Sequence, residues 1–131
     1  MNSEMLKLIE RDRFAKYIGI KLIKVGPGYA VSQLEITENH LNGVDIVQGG
    51  VIFTLADFAF AAASNSKGFV TLGINANISY YKSPQGKLLT AEATEISSYK
   101  KLCGYNVDVF DENKDLIARF NATGYIKGSI K

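Results

Sequence analysis

Residues 51–63 are apolar or small at nearly every position, with only Thr54 and Asp57 breaking the run. Such a pattern predicts a helix buried on almost all sides rather than an amphipathic surface helix. Gln48, Gly49 and Gly50 precede it, and Gly68 closes it. After Gly68 the period changes. Val70, Leu72, Ile74, Ala76, Ile78 and Tyr80 alternate with Thr71, Gly73, Asn75, Asn77 and Ser79, the pattern of a strand with one buried face. Residues 88–96, 103–109 and 116–122 read as three more strands, and 21–25 and 29–36 flank the turn Gly26-Pro27-Gly28 as a hairpin. Met5, Leu8, Ile9, Phe14 and Tyr17 recur at loose helical intervals among charges, predicting one or two short helices on the outside. Asn39, Asn42, Gly43 and Asp45 mark 37–47 as a loop leading into the central helix. The last three strands follow one another by turns, so they form an antiparallel meander continuing the sheet begun by the hairpin. One long apolar helix against one antiparallel sheet is an α+β architecture. The helix needs cover on the side the sheet does not reach, which a curved, wrapping sheet provides.

Length and composition narrow the function classes. At 131 residues the chain is expected to be one domain, 1–131. Fifteen Lys and Arg against thirteen Asp and Glu exclude a nucleic-acid binder recognised by bulk charge. Cys103 stands alone, so no intramolecular disulfide forms; with no basic n-region ahead of an apolar run, the expected compartment is the cytosol. The apolar run is too short to span a bilayer, so no membrane partner is expected.

The candidate chemistry gathers around the central helix. Two glycines at its start let backbone approach a ligand and leave N–H groups unpaired, donors that suit a developing oxyanion. Asp57 sits two turns further on, where an ionised carboxylate in apolar surroundings is costly unless paired, protonated or used. It is either a buried, hydrogen-bonded structural group or a reacting one. His40, the single histidine, has no Ser or Cys partner motif and reads as a loop or capping residue. Cys103 alternates with apolar residues and reads as core.

Three motifs carry a resemblance. Leu41-Asn42-Gly43, then GG-x-x-F-x-L-A-D-x-A-F-A over 49–61, then Asn65-Ser66 and Gly68 resemble the hotdog-fold thioesterases of the phenylacetic acid degradation (PaaI) type. The likeness runs from Ile18-Gly19-Ile20 to the closing strand. It implies a sheet wrapped around one long helix and hydrolysis of an acyl-CoA thioester without a cofactor, CoA being part of the substrate. It also implies a homodimer, often paired again into a homotetramer. Position by position, Asp57 takes the place of the catalytic carboxylate, as nucleophile or general base, and Gly49 that of the backbone donor to the thioester oxygen. Asn42 takes the place of the polar side chain beside the reacting carbonyl. Gln48 departs from the family, which usually has His there; an amide can donate a hydrogen bond but cannot relay a proton. CoA carries phosphates, so Lys67, Lys82, Lys100 and Lys101 are candidate anchors, the last three falling where relatives often carry basic residues. No metal ligand set is indicated.

Geometry supplies a separate reason for an oligomer. Gly49 and Asp57 are eight residues apart on one helix, roughly 12 Å along its axis. Antiparallel helices from two subunits would set the start of one beside the carboxylate of the other, making two equal sites at the subunit interface. Aryl or medium-chain acyl groups suit the Phe and Ala residues of the helix, which equally suit packing. Two other readings are a non-catalytic acyl-CoA-binding module, favoured by Gln48, and a hotdog hydratase, whose usual His and acidic pair has no match here.

Overall fold

The structure, a computed structural model, describes residues 3–129. Helices α1 (Ser3–Glu10) and α2 (Arg13–Ile18) lead into strands β1 (Lys21–Gly26) and β2 (Tyr29–Glu35). A 3-10 turn (Glu38–His40) and a loop then reach α3 (Gly49–Asn65). Strands β3 (Phe69–Tyr80), β4 (Leu88–Tyr99), β5 (Leu102–Phe110) and β6 (Leu116–Ser129) follow. The strands make one six-stranded antiparallel sheet in the order β1-β2-β4-β5-β6-β3. The meander β4-β5-β6 lies as the turns predict, and β3 takes the far edge beside β6.

Helix α3 touches all six strands, so the sheet wraps it. Its inner face is built from Leu55, Ala56, Ala59, Ala62 and Ala63, none of which reaches solvent. Alanines there, and Ala30, Ala91 and Ala93 opposite, keep helix and sheet close. Larger groups fill the flanks. Phe53 meets Phe120 edge-on at 5.2 Å between ring centroids, and Phe60 meets Tyr105 at 5.6 Å. Each such side chain contributes about 1.5–3 kcal/mol by leaving water. The buried Ser32 hydroxyl donates to the Leu55 carbonyl at 3.2 Å, so its burial leaves no polar group unpaired. Cys103 is buried, as its alternation predicts.

Two expectations need correction. The N-terminal helices do not simply lie outside: Met5, Ile9 and Ala15 are buried, and both helices pack on α3. They cover part of the side the sheet leaves open, so α3 draws its cover from its own chain. The second correction concerns β3, where only Thr71 is buried. The pairing with β6 shifts between Gly73 and Asn75, and one extra residue reverses the pleat. Thr71 bonds the Ser64 carbonyl and Gly73 faces the Phe60 ring, whereas beyond the shift Ile78 and Tyr80 turn toward α3. The six alternating residues therefore do not share one face. Leu72 is 50% exposed and Ile74 59%.

Candidate active site

Gln48 stands in extended backbone immediately before α3 and caps it. Its side-chain Oε1 accepts from the Gly50 N–H, and its carbonyl accepts from Val51 at 2.9 Å and, more weakly, Ile52 at 3.5 Å. Helix starts leave four N–H groups without intrahelical partners. Here three are taken, and the Gly49 N–H alone of the four has no acceptor among the described residues. The expected donor is thus one specific N–H rather than a row of them. The Gln48 carboxamide also keeps its NH2 without an acceptor among the described residues.

Tyr80 holds the other side of that glycine. Its hydroxyl donates to the Gly49 carbonyl at 3.0 Å, and a Cβ at position 49 would come within 3.3 Å of its ring. Burial raises the Tyr80 hydroxyl pKa, keeping it a donor. A cavity of about 320 Å³ opens before Gly49, walled by Ile46, Ile52, Tyr80, Tyr81, Lys82 and Pro84.

Asn42 organises the loop ahead of the helix. Its Oδ1 accepts from the N–H groups of Val44 at 2.9 Å and Ile46 at 3.1 Å, and its own N–H donates to the Ile46 carbonyl at 2.8 Å. That ties up the oxygen and leaves the side-chain NH2 as its free donor. His40 is buried and braces the same loop. Its Nδ1 accepts from the Thr37 N–H at 2.9 Å, which makes Nε2 the protonated nitrogen that donates to the Ile18 carbonyl at 2.7 Å. The His40 carbonyl in turn accepts from the Gln48 N–H at 2.9 Å. The histidine is a capping and bracing residue, as its missing triad partners indicate.

Asp57 corrects the expectation of a buried carboxylate. Gly50, Thr54, Asp57 and Ala61 form the open stripe of α3, and Asp57 is exposed on it. No donor among the described residues reaches its side chain. Surrounding protein still removes enough water to raise its carboxyl pKa, and the charge of Asp12 adds to the rise. Asp12 itself caps α2, its Oδ1 accepting from the Ala15 N–H at 3.0 Å. One chain does not bring Asp57 to Gly49.

The candidate anchors separate as well. Lys82 pairs with Asp115 at 2.7 Å beside the Gly49 cavity, and Lys67 pairs with Glu95 at 2.6 Å. Lys100 lies over the Tyr99 ring at 5.2 Å, and Lys101 next to it is exposed. Cross-strand register sets Tyr80 level with Ala91 and Leu72 level with Tyr99. These two levels are roughly 27 Å apart at about 3.4 Å per residue, and Lys82 and the Lys100-Lys101 turn lie beyond them at opposite ends of the sheet. Tyr80 and Asp12 escape sequence reasoning: one looks like another core position of an alternating strand, the other like a surface charge. Among the described residues no group of three or more His, Cys, Asp or Glu could hold a metal ion, and no helix is long and apolar enough to cross a membrane.

A profile described as the thioesterase superfamily matches residues 45–118, the span from the Asn42 loop through α3 into β6. The chain belongs to the thioesterase superfamily. Within it, the acyl-coenzyme A thioesterase PaaI of Escherichia coli is 32% identical over 125 residues, covering 94% of this chain and 89% of that one. The 1,4-dihydroxy-2-naphthoyl-CoA hydrolase of Listeria monocytogenes is 32% identical over 113 residues, covering 84% and 92%. The solved structure of the E. coli PaaI protein from the phenylacetic acid degradation operon superimposes with a TM-score of 0.90 at 30% identity, covering 96% of this chain and 93% of that one. The hotdog architecture and the PaaI-type resemblance stand together in this superfamily member.

Proposed function

We propose that the protein hydrolyses acyl-CoA thioesters to a free acid and CoA, with residues 1–131 acting as one domain. The observation that carries this reading is the Gly49 N–H, which alone of the four at the helix start has no acceptor among the described residues, at a glycine that lines a cavity. Such a donor stabilises charge as it develops on a thioester oxygen. Asp57 supplies the second half. Unpaired and on the open stripe of α3, it takes a proton from water as that water attacks the thioester carbon, or attacks the carbon itself. Either way the carbon–sulfur bond breaks and sulfur leaves as the CoA thiolate; on the second route water then hydrolyses the acyl–Asp57 anhydride, releasing the acid and restoring the carboxylate. The free NH2 groups of Asn42 and Gln48 are donors for positioning the carbonyl and the water.

The sites form between two copies of the chain. Gly49 and Asp57 are too far apart along one helix to act on one carbonyl, and antiparallel helices related by a two-fold axis remove that separation. The same operation brings the Lys100-Lys101 turn of one copy to the Lys82 end of the other, so basic groups from both ends of the sheet serve one CoA. On the sheet's outer face Leu72, Tyr125, Leu102 and Tyr99 form a cross-strand row, with Leu102 50% and Tyr99 71% exposed. That row suits further pairing into a tetramer. Asp57→Asn tests the chemistry: the folded variant should hydrolyse its best thioester at least about a hundredfold more slowly while still binding it. A normally folded variant with wild-type turnover would eliminate the mechanism. Gln48, held as a helix cap and unable to relay a proton, favours a second reading, an acyl-CoA-binding module without turnover. A wild-type protein that binds acyl-CoA and hydrolyses none would establish that reading instead.

A further inference from the structure

The open stripe of α3 continues past Asp57 to Ala61, and beside it runs a groove the proposed chemistry does not use. Leu8 and Ile9 of α1 form one wall, Phe58 and Ala61 of α3 the floor, and β3 around Thr71 the far edge. Asp12 lies at its rim, and Ala61 of its floor stands one helical turn from Asp57 on the same stripe, so groove and carboxylate adjoin.

The lining states what fits. Its buried polar groups are spent inside the chain: Asn65 donates to the Ala61 carbonyl at 2.8 Å and accepts from the Thr71 N–H at 2.9 Å, and the Thr71 hydroxyl donates to the Ser64 carbonyl at 3.1 Å. Asp12 has one oxygen on its helix cap. The groove thus offers apolar surface and a negative rim, conditions that favour a neutral hydrocarbon group and disfavour an anionic one. Its volume is about 210 Å³. At roughly 30 Å³ for each water-sized group this holds about seven of them, the size of an aryl ring or a six- to eight-carbon chain.

We infer that the groove between α1 and α3 receives the acyl group of the thioester, and that Leu8 sets how large an acyl group is accepted. The inference rests on the proposed site to the extent that it places the scissile carbonyl at Asp57. Leu8 is suited to the role because it is 44% exposed, and a change there does not reach the core.

The test pairs rate with binding. Leu8→Trp should lower the ratio of kcat/KM for hexanoyl-CoA over acetyl-CoA by about tenfold or more, and Leu8→Ala should move the preferred chain length upward. Opposite shifts from one position are not produced by a general loss of stability, and thermal unfolding of both variants checks that. In the Asp57→Asn background, calorimetry should show Leu8→Trp weakening hexanoyl-CoA about tenfold relative to CoA alone. If both Leu8 variants leave the rate ratio and the binding ratio unchanged, the groove assignment is overturned while hydrolysis stands. If wild type hydrolyses nothing yet Leu8→Trp selectively weakens hexanoyl-CoA, the groove is upheld and the hydrolase reading falls.

Discussion

Strand β1, at one edge of the sheet, is six residues long, carries Lys21 and Lys24, and slips register between Leu22 and Lys24. At the other edge β3 runs for twelve residues, Phe69–Tyr80, with no charge and no proline. Unpaired strand edges template association, and proteins blunt them with short length, lysines, prolines and bulges. The first edge is blunted in this way. The second has only register shifts in its pairing with β6, at Val70/Thr71 and Gly73/Asn75, and keeps Ile74 exposed. The difference fits the proposed pairing of two copies: β3 is the less protected edge, and two β3 edges meeting about a two-fold axis would give the antiparallel arrangement that a composite site needs.

The largest expected effect comes from giving β3 the protection β1 already has. Ile74→Lys with Asn77→Lys should yield a folded monomer by sedimentation, with hydrolysis reduced at least about a hundredfold because each carboxylate loses its oxyanion donor. Ile23→Lys on β1 serves as the matched control, since Ile23 is 48% exposed on an edge already protected. A fully active Ile74→Lys/Asn77→Lys monomer would refute the shared site.

Next in size is the loss of the donor itself. Gly49→Pro removes the unpaired N–H at the first helical position, where proline is well tolerated, and the exposed Tyr80 ring has only to yield slightly. Turnover should fall by about a hundred- to a thousandfold. Co-refolding Gly49→Pro with Asp57→Asn should then restore roughly a quarter of wild-type turnover, because half the dimers are mixed and each mixed dimer has one intact site. No recovery from two dead parents would place Gly49 and Asp57 in the same subunit's site.

The smallest effects are in pH. The raised Asp57 pKa means hydrolysis should fall as pH drops through that value, since the ionised form does the work. Partner burial adds desolvation, so this pKa, followed by NMR, should lie higher in wild type than in the Ile74→Lys/Asn77→Lys monomer. Stability has its own sign. Because the folded state holds the proton more tightly, ionisation of Asp57 costs stability as pH rises from the ordinary carboxylate range through the raised value. Asp57→Asn should therefore raise Tm at neutral pH, with the gain vanishing in acid. A lower Tm at neutral pH would show that the carboxylate is held by stabilising contacts.

The hydrophobic pattern was enough to find α3 and every strand, because apolar run and alternation are direct marks of burial. It failed at β3, where one inserted residue reverses the pleat without disturbing the written alternation of Leu72, Ile74, Ala76 and Ile78. It failed again at Asp57: an apolar neighbourhood in sequence, Ala56 and Phe58, lies around the helix axis from a face that stays open. Gly49 and Asn42 drew notice through paired glycines and a turn-rich loop, and Gln48 as a departure from the family pattern. Their wiring was not, since which N–H stays free depends on where the Gln48 side chain folds back. Tyr80 reaches Gly49 across thirty-one positions of chain, a relation no local pattern encodes.

The two bonds that frame the helix start also carry a consequence for the order of folding. His40 reaches back twenty-two positions to Ile18, and Tyr80 reaches back thirty-one to Gly49. Closing such loops costs entropy before any contact rewards it, so local helices and hairpins form sooner. The mouth of the Gly49 cavity therefore forms after the local elements, together with other non-local contacts such as the β2–β4 pairing that joins Tyr29 to Thr94. A newly made chain would first possess its local helices and hairpins, and only afterwards the wrapped sheet and the aligned donor. In refolding kinetics, recovery of activity should lag behind recovery of helical signal even at protein concentrations where pairing of subunits is fast.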